Sequence, residues 1–240
     1  MELLRGIERR GRRRRRRKQV GKAYDMALEV AQVIPRRTRV LDVGCGNGFI
    51  AHHLKALLGA EVVGIDVTRE TCARIAYRCY DGRRFPLPDN SFDAALLCYV
   101  LHHAQDLRAV LAEVRRALRA GGLVVVYEDI PGSFWDRFMC WTHDLMWRGR
   151  TGRCRFRRER EWQAVFASHG FEVVNERPLS RWRNLAYPVR HRFYLLKSRG
   201  VGRRALARAD DARITPARAQ ATARAAGARD EGDARRRNVA

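Results

Sequence analysis

The chain has 240 residues, enough for one full-sized domain and too few for two with separate large cores. Hydrophobic residues at 46% and aromatics at 9% exclude wholesale disorder. Six cysteines without a Cys-x-x-Cys pair exclude a disulfide scaffold, argue against a zinc or redox site and favour a reducing cytoplasm, while 49 Lys and Arg against 26 Asp and Glu leave a net charge of +23.

Residues 1–22 carry 11 basic and 2 acidic side chains, with an unbroken basic block from Arg12 to Lys18. Such blocks repel themselves, so this segment is expected to be a disordered arm, making at most weak electrostatic contact with nucleic acid or acidic lipid. Residues 23–200 form the expected folded domain. Residues 201–240, rich in Ala and Arg and poor in anything large to bury, read as a disordered tail with the same weak contacts. The longest apolar run, Ala94–Leu101, is far short of the ~20 residues that a spanning helix needs. The expected setting is therefore cytoplasmic, with peripheral membrane contact compatible.

Strand and helix signals alternate from Ala23 to about Leu179, the pattern of an α/β fold with a mainly parallel sheet. Tyr24–Val33 reads as a leading helix, Val40–Val43 as a short strand running into Gly44, and Ile50, Leu54, Leu57 and Leu58 as the apolar face of a helix stopped by Gly59. Glu61–Val67 is the next strand, followed by a helix that Thr68 would cap. Ala94–Cys98 is a buried strand. Asp106 then caps a helix bearing Leu107, Val110, Leu111, Val114 and Leu118, ended by Gly121-Gly122, and Leu123–Asp129 is a further strand. Trp162–His169 reads as a helix, and the strands Phe171–Asn175 and His191–Leu196 are too close, without a helix between them, to be anything but antiparallel.

The sharpest signal is VLDVGCGNGFI, Val40–Ile50. A strand delivers Asp42, then Gly44, Gly46 and Gly48 clear the turn of side chains so that backbone can lie against a ligand at a helix N-terminus. The spacing is G-x-G-x-G rather than the G-x-G-x-x-G of nicotinamide binding. This segment, with YDGRRFPLPDNSFDAALLCYVLHH (Tyr80–His103) and EVRRALRAGGLVVVYED (Glu113–Asp129), resembles the class I S-adenosylmethionine-dependent methyltransferases of the type 11 group. The resemblance implies a Rossmann-like, doubly wound sheet of seven strands, mainly parallel with an antiparallel last strand, and S-adenosylmethionine as cofactor. It further implies contact to the cofactor from Asp42, Gly44, Cys45, Gly46 and Gly48, from Asp66 to the ribose and Val67 beside it, from Asp81 and Gly82 at the adenine, and from Cys98.

His102 and His103 follow the fourth strand, where a methyl acceptor would sit; His103 is the candidate general base, and both residues also fit the start of a helix. Glu128 closes the fifth strand beside Asp129 and is a candidate for orienting substrate. Tyr24 is placed to close over the site. Phe134, Phe138, Trp141 and Leu145 recur at helical spacing with Trp135 among them, so residues 134–160 are expected to be a substrate lid, with Trp135 and Phe138 on the acceptor; a membrane-resting surface is the other reading. No metal is expected. The function expected is O- or C-methylation of a small apolar or aromatic molecule. A nucleic-acid methyltransferase is the alternative suggested by the charge, although Cys98-Tyr99-Val100-Leu101 stands where amino-group methylases of adenine carry Asn/Asp-Pro-Pro-Tyr/Phe. A protein that binds the cofactor without turnover is the third.

Overall fold

Val40, Leu41 and Val43 of strand β1 (Arg39–Val43) are all inaccessible to solvent, because β1 sits mid-sheet with helices over both faces. The computed structural model describes residues 2–184 and 187–199, the side chains of residues 2–13 and Arg15 excepted. In chain order, helix α1 (Glu2–Ala31) precedes β1, and α2 (Phe49–Leu58), β2 (Glu61–Asp66), β3 (Ala76–Cys79) and β4 (Phe92–Cys98) follow it. Then come α3 (Leu107–Ala117), β5 (Leu118–Ile130), α4 (Phe134–Thr151), α5 (Glu159–Ser168), β6 (Phe171–Leu179) and β7 (Arg190–Ser198). The strand order is β3-β2-β1-β4-β5-β7-β6, parallel except for β7, which runs against both its neighbours. This is the doubly wound, Rossmann-like sheet with the expected antiparallel last strand.

Strand alternation divides the core into two layers. Leu41, Val43, Ala95, Leu97, Val124 and Val126 pack with Val110, Leu111 and Val114 of α3 and with Trp162 and Phe166 of α5. The opposite face, with Val40, Val62, Ala94, Leu96 and Val125, packs against Met26, Ala27 and Val30 of α1 and Ala51, Leu54 and Leu58 of α2. Asp106 caps α3 as expected, its carboxylate accepting from the Ala109 N–H at 3.0 Å, but the helix stops at Ala117 and Gly121-Gly122 already belong to β5.

Two expectations are corrected. The basic arm is helical, not disordered: α1 runs unbroken from Glu2 through the Arg block to Ala31. Its buried end nucleates the helix, and Arg, Lys, Glu, Leu and Gln are good helix formers, so each added residue gains a hydrogen bond without a new nucleation cost. The helix after β2 does not form. Thr68 turns back to Asp66 instead, and residues 67–75 bend directly into β3, since Val67–Ile75 carries no spaced apolar face to bury. Residues 201–240, expected as a tail, lie outside the described residues.

Candidate active site

The C-terminal ends of β1, β2, β4 and β5 reach one edge of the sheet, where open α/β folds bind ligands. The glycine turn leaves β1 there. The N–H groups of Gly44 and Cys45 donate to the Ile65 carbonyl at 2.8 and 3.1 Å, pinning the turn to β2. Gly44 has φ of 64°, and a side chain on it would meet Val100 Cγ2 at 2.5 Å, so glycine is required both by the backbone and by the close approach of the turn after β4. Gly46, at φ 51°, differs: a Cβ there would project into open space. Gly48 begins α2 without any side-chain cap, leaving that helix N-terminus able to receive a ligand.

Two acids flank the turn. Asp42 is buried, one of its carboxylate oxygens has no partner, and burial reinforced by the charge of Asp66 pushes its pKa up to about 7. Asp66 accepts from the Gly46 N–H at 2.8 Å on one oxygen and from the Thr68 N–H and hydroxyl at 3.1 and 3.2 Å on the other. Cys45 and Cys98, half-buried, have their thiols held protonated, by burial first and then by Asp42. An open cradle over Gly46, an uncapped helix start and an unpartnered buried carboxylate together fit a ligand with a positive group and a flat, polar body.

Val67, half-exposed, packs by its side chain beside Gly82, whose own Cβ position lies 3.7 Å from Val67 Cγ1. Asp81 accepts from the Arg83 and Arg84 N–H groups, each at 2.8 Å, which makes it the cap of the Gly82 turn and lowers its pKa. Tyr24 stands edge-on to His53 of α2, ring centres 5.2 Å apart, on the outer side of α1.

The turn after β4 holds the features least visible in the sequence. Tyr99 has a left-handed backbone, φ 59°, fixed by its N–H donating to the Tyr127 carbonyl at 2.8 Å. Glu128, expected to face substrate, is instead fully buried: it accepts from the Leu101 N–H at 2.8 Å and contacts His102 Nδ1 at 2.7 Å. A carboxylate at that depth must be partnered, and these two contacts consume it. Its neighbour Asp129 contacts His191 Nδ1 at 2.7 Å. His103 is also redirected. Its Nδ1 lies 3.0 Å from Thr151 Oγ1 and 3.3 Å from Cys154 Sγ, and its Nε2 lies 3.2 Å from Nε2 of His143 on α4, so both ring nitrogens face protein atoms rather than the place of an acceptor. Burial, then the neighbouring His102 and His143, pulls the His103 pKa down to about 3, far from that of an effective base at neutral pH.

Helix α4 is inverted relative to the expected lid. Its buried residues are Asp136, Cys140 and Asp144, while Phe134 (77% exposed), Trp135, Phe138, Trp141, Leu145 and Met146 (69%) face outward. The reason is polar: Asp136 binds Ser133, Arg181 and Arg190, and Asp144 accepts from the Cys154 N–H at 2.7 Å and pairs with Arg148, so the acids anchor the helix and turn its aromatic stripe to the surface. Trp135 and Phe138 lie tilted against each other outside, ring centres 5.8 Å apart, rather than over the sheet edge.

Sheet order, glycine turn and paired acids define a class I methyltransferase fold. Residues 41–126 match the family model described as a methyltransferase domain. A sterol 24-C-methyltransferase of Gibberella zeae is 33% identical over 111 residues, which is 41% of this chain and 29% of that protein. A demethylmenaquinone methyltransferase of Tropheryma whipplei is 37% identical over 99 residues, 37% of this chain and 41% of that one. The chain thus spans less than half the length of these relatives. Among solved structures, the [4+2]-cyclase SpnF superposes with a TM-score of 0.60 at 19% identity, covering 74% of this chain and 81% of that one. A SAM-dependent methyltransferase from Methanosarcina mazei gives 0.57 at 18%, covering 71% and 96%.

Proposed function

We propose that the chain transfers a methyl group from S-adenosylmethionine to carbon or oxygen of a small, largely apolar acceptor. The observation that carries this reading is the cradle at Gly46, open above the backbone and flanked by the unpartnered buried oxygen of Asp42. When bound, S-adenosylmethionine supplies a methyl group on a positively charged sulfur. Asp42 meets the ammonium, the backbone of Gly44, Cys45, Gly46 and Gly48 lies along the amino-acid portion, and Asp66 takes the ribose hydroxyls, keeping Gly46 on one oxygen and yielding Thr68 on the other. Val67, Asp81 and Gly82 bound the adenine, and Cys98, near Asp42, contacts the cofactor from the end of β4. What the protein adds is alignment and the exclusion of water, since displacement at a sulfonium needs little else. His103 is not asked to remove a proton in this reading.

The acceptor class draws on the relatives, whose names specify a sterol and a demethylmenaquinone, and on the outward face of α4. Six large apolar side chains flanked by Arg137, Arg148 and Arg150 suit an anionic lipid surface, where an apolar acceptor would be met. Calorimetry with S-adenosylhomocysteine tests the cofactor: Asp66→Ala is expected to weaken binding roughly tenfold or more, and unchanged affinity with an intact fold rejects the assignment. Labelled-methyl transfer to sterol, quinone and phenol pools in parallel with structured RNA tests the acceptor. RNA methylation without small-molecule activity overturns the substrate class, and tight binding without transfer to any pool points to a protein that has kept the cofactor site alone.

A further inference from the structure

His102 and His103 lie on the turn after β4 and His143 lies 40 positions further on, in α4. The fold brings one ring nitrogen of each within 4.8 Å of the others. The contacts around them assign the nitrogens. Glu128 occupies Nδ1 of His102, and a carboxylate there holds the proton on Nδ1, so the lone pair is on Nε2; that Nε2 is buried and has no partner. Thr151 Oγ1 donates its own hydrogen to the Trp147 carbonyl at 3.3 Å and so accepts from Nδ1–H of His103, which places that ring's lone pair on Nε2. The Nε2 atoms of His103 and His143 are 3.2 Å apart, close to the about 3.3 Å separating two nitrogens each 2.0–2.1 Å from a tetrahedral zinc ion.

We propose that His102, His103 and His143 form a binding site for a divalent transition-metal ion of the zinc class, with Glu128 as the carboxylate behind His102. Three imidazoles with no acidic or thiolate ligand suit zinc and its neighbours rather than magnesium or calcium. The buried, unpartnered Nε2 of His102 is the feature that a simple stack of histidines leaves unexplained, and coordination satisfies it. The ion would bind α4 to the turn after β4, with water as the fourth ligand of the tetrahedron. The site goes beyond the methyl-transfer reading and does not depend on it, because it uses no residue of the glycine turn.

The test uses the untagged full chain, stripped of metal and titrated with cobalt(II). One equivalent bound at micromolar metal, with the intense visible bands of a tetrahedral ion and displacement by zinc, is expected. His143→Ala should abolish that spectrum, and Glu128→Gln should weaken affinity ten- to a hundredfold, while circular dichroism and S-adenosylhomocysteine binding stay unchanged. If His143→Ala does not fold, His143→Gln replaces it. Absence of stoichiometric uptake overturns the site and leaves His103 and His143 sharing a hydrogen; a six-coordinate spectrum, or a tetrahedral one that survives loss of His143, overturns it equally. The cofactor titration run alongside reports separately on the methyltransferase reading.

Discussion

The Glu128 carboxylate touches His102 Nδ1 at 2.7 Å with both side chains wholly removed from water, and Glu128 also holds the Leu101 N–H. Removing one partner of such a pair strands the other, at a cost of about 3–5 kcal/mol. Glu128→Ala should therefore show that loss in urea denaturation, whereas Glu128→Gln, which still accepts from Leu101, should lose less than half of it. Equal losses would mean that the shape of the pocket, not its charge, sets the cost.

Gly44 and Gly46 separate folding from binding. Gly44→Ala drives a methyl into Val100 at a left-handed position and should destabilise the protein by several kcal/mol. Gly46→Ala meets nothing and should cost only about 1–2 kcal/mol for its backbone, yet fill the cradle and remove S-adenosylhomocysteine binding. Calorimetry on a folded Gly46→Ala variant decides the matter, since full affinity would place the ligand elsewhere.

Asp42 gives the binding a pH signature. With its pKa raised to about 7, it is protonated in the free protein below that value, and a cationic ammonium must expel that proton. Cofactor affinity should rise with pH by up to about tenfold per unit and level off above pH 7, whereas Asp42→Asn should flatten the profile. Stability of the ligand-free fold runs the opposite way. A carboxyl whose pKa is raised on folding contributes most below its unfolded value of about 3.9, and that contribution fades as pH rises through 7.

On α4 the usual mutational pattern should be reversed. Trp135→Ser with Phe138→Ser alters exposed side chains, so the melting temperature should barely move while sedimentation with anionic vesicles falls. Asp136→Ala removes the buried carboxylate that holds Ser133, Arg181 and Arg190 and, since both arginines keep access to water, should cost about 1–3 kcal/mol. A stable Asp136→Ala protein would show that something else turns the helix outward.

Deleting residues 1–18 should lower helix content by circular dichroism but leave the melting temperature nearly unchanged, because among the described side chains α1 enters the core from Ala23 onward. A large fall would show that the basic turns support the domain.

The sequence displays the glycine turn, six of the strands and the antiparallel pairing of the last two because each rests on local periodicity or spacing: Gly44, Gly46 and Gly48 stand together, and β6 and β7 are too close for a crossover, whereas β3, short and mostly exposed, carries no such pattern and a seventh strand is implied only by the family resemblance. Helix α4 was legible as a helix but not in its orientation. Apolar spacing names a face without saying what it touches, and Asp136 and Asp144 decide that through Arg181, Arg190 and Cys154, each distant along the chain. His143 could not be matched to His102 and His103 for the same reason: forty residues and a strand lie between them. The helical arm is not legible in the Arg block itself, whose charge repulsion opposes order, because its helix is an extension of the buried segment that follows.

Asp129 and His191 stand directly opposite each other in the β5–β7 register. Successive strand residues point to opposite faces, so sliding β7 by one position would turn the strand over, carry the imidazole to the other side of the sheet and bring Arg190 or Arg192, each longer than the histidine, into the buried space beside the acid. Sliding it by two positions sets Val189 or Phe193 there and leaves a carboxylate in the interior alone, while the native register gives it a partner at 2.7 Å. The pair acts as a proofreading contact for insertion of the one strand that runs against the rest, where β-pairing alone would accept several neighbouring alignments.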